Sequence, residues 1–540
     1  MNPAELKKQR DALWGEKRGW NALYQDAYRY AIPYRRSVGN VSAKTLTAEI
    51  FDITAPIGAQ RFAGQLHQDM FPPGQPFFTL APGAVAEKAM KRRGEDKDAL
   101  EWKRHLESMS DEMHPHFMTG AFDSAIAEMC VDLSVGTGVM LTLEATPGIS
   151  PDYLNFATLP FEEMALAPGP NGTAGGLFWK SMHAPSVIKA QWPHGRFSDE
   201  FNKKLADSPY DPVEINQDFI WRDGRWHMVC SLGDEEAPFW RETFRTKPFI
   251  APRYFKVPGE TYGRGPLLMS LGAIRTLNRV VELQLKSAAL QMLGIWGYRP
   301  GGTVNPDVLP LVPGAFWPME VTGGVLGPDV FRVDTGGKEI QIGSIVMEDL
   351  RTQIRAALHD DTIPDSGATP KSATEIMARA ARIKTNYLGA FGRLLHETVP
   401  GIVPRAYEVL RKAGVMRSPI EIDQFLTRVS VTSPLAQTLR AEALKSVFEY
   451  VQVVGMVKGP QAVDRHMKLD ELLEQVGLDM GVAAKFLKTE AERRAYDEQA
   501  AAQAAQATLT EAAASDPKGM AEAATMMDEA SGRPNLKLVS

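Results

Sequence analysis

The sequence YGRGPLLMSLGAIRTLNRVVELQLKSAALQM, residues 262–292, decides the architecture of this 540-residue chain. Two glycines and a proline stand at its start, and proline is tolerated in a first helical turn because its missing N–H has no partner there. Apolar side chains then recur at spacings of three and four, which predicts one uninterrupted helix with one apolar face. They are Ile274, Leu277, Val281, Leu285, Ala288 and Met292. Such a helix is about 40 Å long, which suits the wall of an assembly, although a long helix within a large enzyme is the simpler interpretation.

Length and composition set broad limits. A chain of 540 residues exceeds what one hydrophobic core supports, so roughly two to four subdomains are expected. The formal charge of −6 argues against a protein that grips nucleic acid over its whole surface, but it allows one that lets nucleic acid pass. Cys130 and Cys230 are too few for a disulfide framework, so two buried free thiols and an intracellular origin are expected. No apolar run approaches the ~18 residues of a membrane span, so a soluble protein is expected.

Local patterns predict mostly helices around one small β unit. Helices are predicted at residues 1–30, 54–70, 344–358, 372–412 and 434–499, and in most of 99–144. Short β-branched and aromatic runs between Asn-Gly and Asp-Gly turns predict an antiparallel unit at 150–257. Seventeen glycines and prolines within residues 294–343 exclude long helices there.

Three finer expectations concern these helices. The basic side chains of the first helix are expected to form a solvated face; they are Lys7, Lys8, Arg10, Lys17 and Arg18. Ser372 and Glu375 fit a capping box at the start of the helix over 372–412. Pro400 and Pro404 are expected to kink or divide that helix.

Three common active-site motifs are absent from the sequence. The phosphate loop G-x-x-x-x-G-K-[ST] is missing, because Gly336-Gly337-Lys338 lacks the earlier glycine and is followed by Glu339. The motifs H-E-x-x-H and G-x-S-x-G are absent as well. Adjacent carboxylates at Glu162-Glu163 and Asp360-Asp361 do not face a common point, so a solvated turn explains each better than a catalytic dyad does. The sequence therefore predicts a protein that is not an enzyme and that uses no cofactor or catalytic metal.

Five separated segments resemble the portal proteins, or head-to-tail connectors, of short-tailed, T7-like bacteriophages. They are FDITAPIGAQRFAGQLHQDMFPPGQPFFTL (51–80), DLSVGTGVMLTLE (132–144), YGRGPLLMSLGAIRTLN (262–278), SATEIMARAARIKTNYLGAFGRLLHETVPGIVPRAYEVLRKAG (372–414) and SPLAQTLRAEAL (433–444). Each segment alone is a weak signal, but the five follow the order of the family. Residues 145–250 and those after about 500 carry no resemblance.

The resemblance implies an α+β, predominantly helical portal fold, assembled as a ring of twelve subunits around a central channel. Its parts would be a wing with the β unit at 1–257, a first stem helix at 258–293, a clip at 294–343, a second stem helix at 344–359, a tunnel loop at 360–371, post-stem wing helices at 372–429, a crown at 430–499 and a flexible tail at 500–540. The ring would stand at one vertex of the capsid in the virion, after assembly in the host cytoplasm.

The resemblance also implies partners. Double-stranded DNA would pass through without sequence-specific binding during packaging and ejection. The terminase motor would be a separate protein, because this chain has no phosphate loop for ATP. Tail adaptor and tail tube proteins, and major capsid and scaffolding proteins, would dock on the ring. No membrane partner is expected.

Three groups of residues are candidates for contact with DNA. The stem candidates are Arg275, Arg279 and Lys286. Together with Arg264 they give residues 262–292 four positive charges against the one negative charge of Glu282, a net of three. These charges could form cationic belts around the ring or pair with neighbouring subunits. The tunnel-loop candidates are Asp360, Asp361, Asp365 and Lys371, where the carboxylates would repel and centre DNA or would simply cap a solvated turn. The lumen or interface candidates are Arg379, Arg382 and Lys384. Because each phosphate contact strengthens binding, a sparsely charged wall is expected to pass DNA more freely than a richly basic one.

Two other classes of protein stay open at this stage. A large soluble hydrolase would use Glu162 or Glu163 and would be a monomer or dimer. A scaffold-like interaction protein would rest on the long helices and the alanine-rich tail after residue 500.

Overall fold

The computed structural model describes residues 2–35, 50–86, 88, 96–145, 152–293, 295–298, 330–333, 338–360, 373–417, 422, 427–432, 447–454, 456–457, 472–473, 476–477, 486, 488 and 490–515. Most of the predicted clip and crown therefore lies outside the described residues, as does the tunnel loop after Asp360. The described part mixes helices and strands, and helix makes up 57%, which confirms the predicted mixture in which helix predominates.

The chain divides into two compact units, in line with its length. One unit holds Met1–Thr79, Ser110–Ile420 and Val429–Ala436, and the other holds Leu80–Met109, Glu421–Arg428 and Gln437–Ser540. The described helices are α1 (Pro3–Ala31), α2 (Thr54–Met70), α3 (Asp96–Thr119), α4 (Phe122–Val135), α5 (Pro185–Gln191), α6 (Asp199–Asp207), α7 (Pro266–Met269), α8 (Leu271–Leu293), α9 (Lys338–Ala357), α10 (Ala373–Lys412) and α11 (Glu490–Ser515). The described strands are β1 (Phe78–Pro82), β2 (Met140–Glu144), β3 (Leu154–Thr158), β4 (Met164–Pro168), β5 (Ala174–His183), β6 (Val213–Arg222), β7 (Arg225–Leu232), β8 (Trp240–Phe244), β9 (Phe249–Ile250), β10 (Ile295–Tyr298), β11 (Val330–Val333) and β12 (Thr427–Val431).

The predicted antiparallel β unit is confirmed. Strands β4 to β8 form a five-stranded sheet in sequence order, with antiparallel pairing throughout. The hairpin between β6 and β7 turns at Asp223 and Gly224, whose φ angles of 53° and 75° are both positive. This is the turn that an Asp-Gly pair favours between two twisted strands. A smaller sheet of order β3-β2-β9 lies in the same unit.

The solvated basic face predicted for α1 is wrong for two of its members. Arg10 is buried and its Nη1 lies 3.2 Å from Oδ2 of the buried Asp218. Lys17 is buried as well, where it donates hydrogen bonds to the carbonyl oxygens of Phe161 and Met164. These partners hold α1 against the β unit and satisfy groups that burial would otherwise penalise.

Three helix boundaries differ from the predictions. The helix expected to run without interruption from residue 266 ends at Met269 and begins again at Leu271. Helix α9 begins at Lys338, six residues before the predicted start, and so includes Gly343. Helix α10 continues through Pro400 and Pro404, so neither proline divides it.

Two expectations from composition can be compared with the described residues. Cys130 and Cys230 are both buried and free, as predicted. No helix in the described ranges combines the length and hydropathy that a bilayer span requires.

Candidate functional site

The glycine motif at the start of the opening segment packs directly on the end of α4. The Gly265 N–H donates to the carbonyl of Val135 at 2.7 Å, and the Gly263 N–H donates to Oγ1 of Thr137 at 2.7 Å. A Cβ atom on Gly265 would lie 2.2 Å from the carbonyl oxygen of Ser134. Only glycine allows the two backbones to approach so closely. The segments 132–144 and 262–278, two of the five that resemble the family, therefore pack against each other in one junction.

Buried tyrosines seal this junction. The Tyr24 hydroxyl donates to the carbonyl of Gly263 at 2.5 Å and lies 3.1 Å from Oγ1 of Thr137. Burial raises the pKa of Tyr24 far above its usual value, so the hydroxyl stays a donor at all ordinary pH values. The hydroxyl of Tyr262 accepts a hydrogen bond from the N–H of Leu166 at 3.1 Å, which ties the motif to the β unit.

The junction directs a pair of long helices, α8 and α9. They contact each other and are connected through the antiparallel pairing of β10 with β11, in which Ile295 lies opposite Val333. Between α7 and α8, the backbone N–H of Ser270, at 3.0 Å, and its Oγ, at 2.8 Å, both donate to the carbonyl of Pro266. The chain thus runs out along α8 and returns along α9.

Asp52 anchors the base of both helices. The Oδ1 of Asn278 on α8 accepts hydrogen bonds from the N–H of Phe51 at 2.7 Å and from that of Asp52 at 3.2 Å. Arg351 on α9 donates to Oδ2 of Asp52 at 2.8 Å, and Oδ1 of Asp52 accepts from the N–H of Thr54 at 2.9 Å. Burial alone would raise the pKa of Asp52, but the hydrogen bonds from Thr54 and Arg351 outweigh it and hold that pKa below its usual value.

Each stem candidate has an acidic partner within the same chain. Arg275 forms an ion pair with Asp26 of α1. Arg279 and Lys286 both bind Glu282, at 2.7 and 2.6 Å, and both are mostly exposed. Their hydrogen bonds lower the pKa of Glu282, which keeps it ionised.

The net charge along this segment is smaller than the sequence count. Arg264 pairs with Glu260, as Arg275 pairs with Asp26. Four cations then face three carboxylates once Glu282 is included, which leaves one net positive charge instead of three. That charge lies on the exposed surface formed by Arg279, Glu282 and Lys286.

The tunnel-loop and lumen candidates are only partly described. Asp360 is 8% exposed, and Nη1 of Arg61 on α2 donates to both of its carboxylate oxygens, at 3.0 and 3.1 Å. It follows His359, which lies two residues past the end of α9. The φ of His359 is 54°, and its Nε2 lies 3.1 Å from the Tyr254 hydroxyl. Asp361, Asp365 and Lys371 lie outside the described residues. Arg379, Arg382 and Lys384 lie on α10, and their side chains are outside the described part.

The catalytic alternatives gain no support. Glu162 and Glu163 lie in the short 3-10 turn Phe161–Glu163, and Glu163 accepts a hydrogen bond from Nε1 of Trp179 at 3.2 Å. Among the described residues, no three His, Cys, Asp or Glu side chains are placed to hold a metal ion.

Comparison with known proteins gives one family. Residues 3–487 match the family model described as bacteriophage head to tail connecting protein. A relative named "Probable portal protein", from Bordetella phage BPP-1, is 27% identical over 302 residues, which are 53% of this chain and 53% of that protein. The alignment thus spans about half the length of that relative.

Two solved structures are also similar to the chain. One is the neck of an empty gene transfer agent particle computed with C6 symmetry, at 14% identity and a TM-score of 0.34, covering 78% of this chain and 93% of the other. The second is the virion of a native gene transfer agent particle, at 14% identity and a TM-score of 0.27, covering 71% of this chain and 88% of the other.

Proposed function

Since this chain belongs to the family of bacteriophage head to tail connecting proteins, we propose that it is the portal of a phage capsid. Twelve copies form a ring at one vertex of the head, and double-stranded DNA enters and leaves through the central hole. The ring docks the terminase motor during packaging and the tail adaptor and tail tube proteins afterwards. Capsid and scaffolding proteins surround it during assembly in the host cytoplasm, and the five sequence segments favour a short-tailed, T7-like phage.

The observation that supports this function best is the helix pair α8–α9. Its base is fixed by Asp52, and its exposed surface carries Arg279 and Lys286 with one carboxylate between them. One net positive charge per copy attracts the phosphate backbone weakly. Because every additional phosphate contact releases counterions and tightens binding, this low charge suits a wall along which DNA must slide.

The proposed parts follow the sequence assignment. The pair α8–α9 is the stem, residues 294–343 are the clip, residues 360–371 are the tunnel loop and residues 430–499 are the crown. The stem candidates Arg275, Arg279 and Lys286 lie nearest the DNA path, and Arg379, Arg382 and Lys384 face the lumen or a neighbouring subunit. Asp361 and Asp365 centre the DNA by repulsion, whereas Asp360 holds the loop to Arg61.

Electron micrographs of the purified full-length protein test this function. We expect end-on views of rings with a central hole, and a species of about 714 kDa in mass photometry, since each of twelve chains has a mass of 59.5 kDa. The protein should hydrolyse no ATP by itself. Monodisperse monomers at every concentration would contradict the proposal, and would favour the hydrolase or the scaffold. Deleting residues 500–540 separates the scaffold further, because a portal should still form rings without that tail.

A further inference from the structure

Two leucines of α8 are exposed although the helix is firmly anchored at its base. Leu283 is 50% exposed and Leu285 is 56% exposed. A helix turns about 100° per residue, so side chains two residues apart point about 160° away from each other. Their Cα atoms differ in height by only about 3 Å along the axis. One helix therefore presents an apolar side chain on each of its two flanks at nearly the same level.

The two flanks differ in character. Leu285 continues the line of Ile274, Asn278 and Val281, whose lower members are buried by the rest of the protein. At Leu285 the same stripe is no longer buried by the rest of the protein. The opposite flank carries the uncharged residues Gly272 and Thr276 below Leu283, with Arg279 at its edge between Thr276 and Leu283. A Cβ atom on Gly272 would meet nothing within 4 Å. A second helix can approach closely along this flank.

The charged surface between the flanks restricts how two copies can meet. Arg279 and Lys286 are both more than 60% exposed there. A two-fold contact through this surface would oppose like charges, which is unfavourable. A contact of one flank with the other flank of a second copy avoids this, and because it is head-to-tail it can repeat around a closed ring.

We propose that Leu283 of one copy packs against Leu285 of the next copy around the ring, so that the leucines form an apolar girdle between neighbouring stems. The partner is a second copy of this chain, because each exposed leucine finds its apolar complement on the other flank of the same helix at the same level. This inference rests on the ring proposed above, and it assigns the contact that closes it. Arg279, four residues before Leu283, and Lys286, three residues after it, border the Leu283 side of this contact.

A charge swap in the full-length protein tests the contact. Leu283→Lys alone and Leu285→Glu alone should each lower the fraction of protein in rings by at least tenfold at equal concentration, measured by mass photometry and end-on micrographs. The double variant should recover rings, because every interface then joins a lysine to a glutamate. Val187→Lys is the matched control: Val187 is a half-exposed aliphatic residue on α5, outside the helix pair, and this variant should form rings like the parent.

A second measurement does not depend on the stability of the charged variants. The double variant Leu283→Cys/Leu285→Cys, treated with a short thiol cross-linker, should give a ladder of covalent oligomers beyond the dimer. Either single cysteine variant should give no such ladder, and the native thiols Cys130 and Cys230 are buried and should not react.

The outcomes separate this inference from the proposed function. Parent protein that forms no rings would defeat the portal assignment itself. Parent rings together with single charged variants that assemble normally, or a double variant that fails to recover, would overturn the leucine contact alone. Equal cross-linking by the single cysteine variants would overturn it too.

Discussion

A Cβ atom added to Gly263 would lie 2.5 Å from the carbonyl oxygen of Gly136, which lies far earlier in the chain, at the end of α4. The same added atom would lie 2.8 Å from Cβ of Arg253. The junction from which α8 departs therefore depends on two backbones that no side chain separates. Its geometry explains why a glycine motif, and not an apolar one, precedes the long helix.

Gly263→Ala should destabilise the protein by about 1–3 kcal/mol, because the clash involves backbone atoms that cannot turn aside. The measurement is the free energy of unfolding in urea at one protein concentration, since assembly adds to apparent stability. Gly64→Ala is the matched control. Gly64 is exposed inside α2 with nothing within 4 Å of an added Cβ, so alanine should stabilise by about 0.5–1 kcal/mol. Equal effects at the two positions would contradict the close packing of the junction.

How far the sequence could predict this fold depends on the distance over which each signal acts. The hairpin at Asp223 and Gly224 was predictable because its turn is determined by two residues that are adjacent in the sequence. The break at Ser270 was not, because no glycine or second proline stands between Pro266 and Leu271 to mark it. Helix α9 is longer than predicted because it includes Gly343, which belongs to the glycine-rich stretch from which long helices were excluded.

The same contrast holds for charges. The shared pairing of Arg279 and Lys286 with Glu282 follows from spacings of three and four on one helix, and was predictable from the sequence. The burial of Arg10 was not, because Asp218 lies 208 residues away in the chain. For the same reason, the partner of Arg275 on α1 was not predictable from residues 262–292 alone.

Lys17 should give the stability of the protein a characteristic pH dependence. Burial lowers its pKa from 10.5 to about 7, against a smaller opposing effect of Glu162. Between these two values the unfolded chain binds more protons than the folded one, so stability rises with pH over that window, by up to about 1.4 kcal/mol per pH unit. Below about pH 7 the Lys17 amine is protonated in both states, so the folded protein bears the full free-energy cost of burying its charge.

Lys17→Met should remove this slope between about pH 7 and about pH 8, measured as unfolding free energy at several pH values. Above that window the slope persists, because burial also lowers the pKa of Lys247, to about 8. The slope is the readout, because the variant also leaves the carbonyls of Phe161 and Met164 without their donor. Lys8→Met on the exposed side of α1 serves as the control and should keep the parental slope. An unchanged slope between about pH 7 and about pH 8 in Lys17→Met would contradict the assignment to Lys17.

Arg351→Ala should loosen the base of the helix pair by about 1–3 kcal/mol, because the mostly buried carboxylate of Asp52 then loses a charged donor. A double-mutant cycle with Asp52→Ala should give a coupling energy of about 0.5–3 kcal/mol. Arg355→Ala, one turn further along α9, is the control. Arg355 is half exposed and reaches Glu348 at 3.7 Å, so its loss should change stability by less than about 0.5 kcal/mol. Additive effects of Arg351→Ala and Asp52→Ala would contradict the anchor.

Glu282→Gln should make the ring hold DNA more tightly. The substitution removes the carboxylate that both Arg279 and Lys286 bind, so the exposed surface goes from one to two net positive charges per copy. Each new bond to a phosphate should steepen the dependence of log K on log salt by about 0.9, which fluorescence anisotropy of a short duplex at several salt concentrations can measure. Glu260→Gln is the control: it frees Arg264 near the glycine junction, away from the upper part of α8, and should leave DNA binding at the parental level. If Glu282→Gln and Glu260→Gln change the salt dependence equally, or if neither does, then Arg279 and Lys286 do not face the DNA and the lumen must be lined by other residues.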